Sequence, residues 1–101
     1  MKAVLNGTIV AEAPLDDLIK IEGNWYFPPS SITAGLLSPT DTAYTCSWKG
    51  ECQYFTVNDG TTSVTDGAFS YPAPTPSSFD RVGQDYSGYV AFDKSQVTLS
   101  E

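Results

Sequence analysis

Short runs of β-branched and aromatic residues alternate with glycine- and proline-bearing turns about every eight to twelve residues, the spacing of an all-β domain. The sharpest turn signal is Asn6-Gly7, because a two-residue type I′ turn needs positive φ at both positions. It folds Lys2–Leu5 onto residues 8–11 and sets Val4 opposite Ile9 and Ala3 opposite Val10. Ala13-Pro14 breaks the second strand, since proline cannot donate to a ladder. β character resumes at residues 18–21. Gly23-Asn24 offers a II′ turn into Trp25-Tyr26-Phe27, placing Ile21 opposite Tyr26 and Glu22 opposite Trp25. Pro28-Pro29-Ser30-Ser31 stops the strand and starts a short helical turn, and residues 36–41 read as a loop that changes direction.

Residues 42–46 and 51–57 form the next pair. With Trp48-Lys49-Gly50 as a three-residue loop, Ser47 pairs with Glu51 and Cys46 lies opposite Cys52. Asn58-Asp59-Gly60 and Asp66-Gly67 are further turn signals, giving a meander through residues 62–64 to 68–71. Three prolines within five residues rule out a central strand at residues 72–78, so this is a surface crossover with a short helix at 78–82. Residues 88–92 are the last strong strand, followed by a weaker one at 96–99. The pattern predicts a compact single-domain antiparallel barrel or sandwich over residues 1–101, built from short hairpins with at most one or two short helical turns.

At 101 residues the chain is long enough for one core and too short for two. Apolar residues make up 41% and charged residues 17%, which excludes a disordered chain. Twelve acidic residues against five basic ones give a net charge of −7, and the basic residues are scattered. Phosphate backbones are bound through Lys and Arg, so no nucleic-acid partner is expected. The opening apolar run is too short for a secretion signal, and no stretch approaches a membrane span, so the expectation is a cytoplasmic protein with reduced thiols and no membrane partner.

The chain has no histidine. That removes the commonest general base and the usual zinc ligand sets, and two cysteines alone cannot fill a tetrahedral zinc site. No metal or cofactor is expected. The densest chemistry is Thr45-Cys46-Ser47-Trp48-Lys49-Gly50, with a thiol, an indole and an ammonium within four residues. Lys49 on a glycine-closed turn suits an anionic or carbonyl ligand, with Trp48 as a stacking face. Cys46 is either a thiol favoured by the nearby lysine or a small buried hydrophobe. Glu22 beside Trp25 is a candidate acid or base if desolvation raises its pKa.

Four motifs follow the Asn-Gly hairpin in order: Glu22-Gly23-Asn24-Trp25-Tyr26-Phe27-Pro28, Thr45-Cys46-Ser47-Trp48-Lys49-Gly50, Tyr71-Pro72-Ala73-Pro74 and Gly88-Tyr89-Val90-Ala91-Phe92. In this order they resemble the family called domain of unknown function 427, also filed under a nucleotidyltransferase-like name, across residues 4–92. The resemblance implies a compact all-β domain in soluble bacterial and fungal proteins and leaves the activity open. Ser47 stands where the family usually has proline, Phe69 where it favours tryptophan, and Asp93-Lys94 where a further aromatic often follows the last strong strand. Residues 75–87 also depart from the family's short alanine-rich helix. Nucleotidyl transfer needs clustered carboxylates for Mg²⁺ and donors around the phosphates. Asp16-Asp17 is the only adjacent acidic pair, Asp59 belongs to a turn, and no glycine-rich phosphate loop is present.

Three functional readings remain. The leading one is a domain that binds a small polar or anionic molecule in an aromatic-lined cleft near residues 46–50, with Lys49 and Trp48 in contact and Glu22, Tyr26 and Cys46 as neighbours. The second is an enzyme using Lys49 and Glu22 as its ionisable pair. The third is a protein-interaction domain presenting Trp25, Tyr26 and Phe27 as an exposed patch.

Overall fold

A computed structural model describes residues 1–101. Asn6 and Gly7 take φ of 49° and 81° and close the hairpin of β1 (Lys2–Leu5) and β2 (Thr8–Glu12). Val4 pairs with Ile9 as the turn requires, but a bulge after it sets Ala3 opposite Ala11 instead of Val10. The extra residue lets Val10 and Ala11 both be fully buried, which strict alternation forbids.

β3 (Ile19–Ile21) and β4 (Asn24–Tyr26) form a second hairpin. β5 (Leu37–Cys46), β6 (Gly50–Asn58), β7 (Ser63–Ser70) and β8 (Val90–Phe92) form a four-stranded sheet in that order. β9 (Thr98–Ser100) adds to β1, giving the sheet order β2-β1-β9. Every pairing is antiparallel. Three separate sheets exclude the closed-barrel alternative and fit a sandwich-like fold. A single bridge from Phe27 to Val90 joins the β3–β4 hairpin to the four-stranded sheet, and another ties Ala11 of β2 to Ile32. Helical structure is short: single 3₁₀ turns at Leu15–Asp17 and Pro29–Ser31, and α1 (Pro76–Val82), which Gly83 closes at φ 96°. No helix is long and apolar enough to cross a membrane.

Two expected turns are bulges instead. The stretch read as a loop at residues 36–41 runs into β5, where Thr40, Asp41 and Thr42 bulge out opposite Tyr54 between the pairs Pro39–Phe55 and Ala43–Gln53. Asp66-Gly67 does not separate two strands. It lies within β7, in a bulge between the pairs Val64–Val57 and Ala68–Phe55, with Asp66 at φ 57°. The two bulges are tied across β6, since Asp66 accepts from the Thr40 hydroxyl at 2.7 Å and the Thr42 hydroxyl at 2.6 Å. A bulge and a tight turn use the same positive-φ backbone, which is why the dipeptide signals both.

The interior divides in two. One core packs β1 and β2 against β6, β7 and β8, with Phe27 edge-on to Phe92 at 5.6 Å. The other lies under the β3–β4 hairpin and α1, and holds Tyr26, Tyr71, Tyr86 and Cys46. This second, aromatic core carries the candidate site on its outer side.

Candidate functional site

The β3–β4 turn is Glu22-Gly23, one residue earlier than the expected Gly23-Asn24. Ile19 therefore pairs with Tyr26, Lys20 with Trp25 and Ile21 with Asn24. Glu22 sits at φ 53° and Gly23 at φ 83°, both positive as a type I′ turn demands. A glutamate in the left-handed region costs on the order of 1 kcal/mol, so something must hold it there. The holding contact is Lys49, whose ammonium donates to Glu22 Oε1 at 2.5 Å.

The second loop is displaced by one residue as well. Cys46 pairs with Gly50, Thr45 with Glu51 and Tyr44 with Cys52, so the loop is Ser47-Trp48-Lys49. Gly50, at φ 106°, closes it. Cys46 and Cys52 are thus not opposite each other. They share one face of the ladder two residues apart, as free thiols. Thr75, in the crossover before α1, grips the loop twice: its hydroxyl donates to the Trp48 carbonyl at 2.5 Å and its N–H to the Lys49 carbonyl at 3.0 Å.

This grip turns Lys49 inward. The residue is only 5% exposed, not a solvated tip. Its ammonium lies 4.7 Å from the Tyr71 ring centre and 5.2 Å from that of Trp48. Trp48 meets a second cation, the Arg81 guanidinium of α1, at 4.2 Å. Lys20 stands over Trp25 at 5.2 Å. Cations over ring faces are attracted by the ring quadrupole, so the aromatic walls help to keep these charges in place.

The electrostatics of Glu22 run opposite to the sequence expectation. The hydrogen bond from Lys49 holds its carboxyl below the usual range, partial burial opposes this, and the charges of Lys49 and Arg81 and the Trp48 indole N–H add to the lowering. Glu22 faces Lys49 rather than Trp25, and it is a committed carboxylate.

Between the Glu22 turn and α1 lies a cleft of about 220 Å³, lined by Lys20, Ile21, Glu22, Trp48, Arg81 and Val82. Of the expected residues, Trp48 and Glu22 form its wall and Lys49 lies behind them. Tyr26 and Cys46 belong to the interior. Tyr26 is 1% exposed, edge-on to Phe69 and Tyr86, and its buried hydroxyl has no hydrogen-bond partner. Burial pushes that hydroxyl's pKa well up. Because Phe27 is also fully buried, the expected exposed patch of Trp25, Tyr26 and Phe27 does not form.

Sequence reasoning missed Lys20 and Arg81 as wall residues and Tyr71 as the ring over which Lys49 lies. Tyr71 was signalled by its place in the Tyr71-Pro72-Ala73-Pro74 motif. The two cations carried no local signal, because only tertiary packing brings β3 and α1 together. Asp59 accepts from the Thr61 and Thr62 N–H groups of its own turn, and no three His, Cys, Asp or Glu side chains gather to hold a metal ion.

A family model described as a domain of unknown function (DUF427) matches residues 1–101, the whole chain. No curated protein matches it.

Proposed function

The chain belongs to the DUF427 family, and from the cleft of this member we propose that it binds a small anionic molecule with a flat face, between the Glu22 turn and α1. One observation carries the reading. In a chain of net charge −7 with five basic residues, Lys20 and Arg81 both border one cleft, whose wall Trp48 shares with them. Arg81 and Lys20 contact the anionic group, and Trp48 offers its ring to the flat part of the ligand. Lys49 positions the site from behind: it neutralises Glu22, which would otherwise repel an anion at the cleft wall.

The same ion pair argues against Glu22 and Lys49 as proton donor and acceptor, because each is committed to the other. The family match over residues 1–101 supports a single domain.

A thermal-shift screen against nucleotides, sugar phosphates and aromatic carboxylic acids tests the reading, run on wild type, Arg81→Met and Trp48→Leu. A ligand at about a hundred times its Kd adds roughly 2.7 kcal/mol, a rise on the order of 10 °C in a domain of this size. A rise seen with wild type and lost in Arg81→Met supports the cleft. An equal rise in wild type and both variants, or none with any anion, sinks it.

A further inference from the structure

The largest cavity, about 380 Å³, adjoins the same β3–β4 turn through Asn24 rather than Glu22. Its chemistry is the reverse of the Trp48 cleft. Tyr54, Phe69 and Phe92 supply its apolar surface, and Asp66, Asp93, Lys94 and Ser95 stand around it with Asn24. Tyr54 and Phe69 lie 6.1 Å apart with their planes at 54°, so they present two differently inclined ring faces.

The charges around the cavity decide what it suits. The Ser95 hydroxyl and N–H both donate to Asp93 Oδ1, at 2.7 and 3.0 Å, and the Gln96 amide donates to Oδ2 at 3.1 Å. Those donors hold the Asp93 carboxyl below its usual range, Gln96 first. Asp66 takes the Thr40 and Thr42 hydroxyls. The Lys94 ammonium donates to the Gly23 carbonyl at 3.1 Å. Two carboxylates thus stand against one ammonium, so the lining carries net negative charge beside its aromatic side chains. Such a surface disfavours an anion. It complements a ligand that brings its own positive charge.

We infer that this second cavity binds a small organic cation, an alkylated ammonium, with Tyr54, Phe69 and Phe92 against its alkyl groups and Asp66 and Asp93 against its charge. The net charge of −7 concentrates cations near the protein and favours their entry at low salt. This reading is independent of the anion cleft, since it uses none of the same side chains.

The test is an NMR titration of ¹⁵N-labelled protein at low salt with choline, its neutral isostere 3,3-dimethylbutan-1-ol, and glucose. The expected result is that choline shifts the amides of Asn24, Phe92 and Ser95 and binds roughly tenfold or more tightly than the alcohol, the gain from a cation over aromatic rings. Asp66→Asn and Tyr54→Leu should each weaken choline about tenfold. The comparison of choline with the alcohol is made on wild type, so it stands even if Asp66→Asn unfolds. Equal binding of choline and the alcohol, stronger shifts with glucose, choline shifts confined to Lys20 and Trp48, or no shift at tens of millimolar choline each overturns the inference.

Discussion

Glu22 and Lys49 are the two ends of one ion pair in different surroundings: the carboxylate side chain is 54% exposed and the lysine side chain 6%. Removing either end is therefore not equivalent. Glu22→Gln leaves a buried ammonium with only ring faces and a neutral amide, and should cost about 1–3 kcal/mol. Lys49→Met places a thioether against Trp48 and Tyr71 and leaves a carboxylate that water already reaches, so its cost should stay within about 1 kcal/mol. Urea midpoints of the two variants check this, and a larger loss in Lys49→Met would reverse the argument.

The same pair sets part of the acid limb. The folded pKa of Glu22 lies below its ordinary value of 4.5. Its contribution is therefore complete above about pH 4.5 and is lost as pH falls through the lower folded value. Stability measured from about pH 5 down to pH 3 should fall less steeply in Glu22→Gln than in wild type. Some slope remains, because Asp59, Asp85 and Asp93 are also lowered by hydrogen bonds within their own turns. Identical slopes would mean that Lys49 does not stabilise the Glu22 carboxylate.

Tyr26 and Tyr86 touch edge-on in the aromatic core but differ in one respect. The Tyr86 hydroxyl donates to Ser78 Oγ at 2.9 Å, whereas the Tyr26 hydroxyl has no partner. Tyr86→Phe should cost about 1 kcal/mol, and Tyr26→Phe should be neutral or stabilising, since a buried unpaired hydroxyl is a penalty in the folded state. Thermal midpoints of the two variants should move apart in that order.

Gly67 tests the β7 bulge. A Cβ there would meet Val64 Cγ1 at 2.9 Å and Val57 Cγ2 at 3.1 Å, both on buried β-branched residues with little freedom to turn aside. Gly67→Ala should therefore destabilise by about 1–3 kcal/mol through overpacking. An unchanged urea midpoint would mean that the bulge gives way without cost.

What was legible in the chain follows from how local each cause is. Asn6-Gly7, the proline-led 3₁₀ turn at Pro29–Ser31 and the short helix α1 are written in turn and capping chemistry within a few residues, and all three form. Both shifted turns have a non-local cause. Glu22 adopts a conformation that its own side chain disfavours because Lys49, 27 residues on, holds it. The Ser47-Trp48-Lys49 loop is held by Thr75 from the crossover. The same reason hid the cleft: Trp48 and Lys49 were visible as a cluster, while Arg81 and Lys20 join it only through the packing of α1 and β3.

The bulge in β5 has one more effect. β5 is an outer strand of the four-stranded sheet, ten residues long and mostly exposed. A straight, unbroken edge of that length is a template onto which another chain can add as a further strand, the first step toward fibrils. Pro39 has no N–H to offer there, and the displaced Thr40-Asp41-Thr42 segment, with a charge at its middle, splits the edge into two short pieces. The irregularity that obscured this strand in the sequence is also what protects the sheet from its own copies.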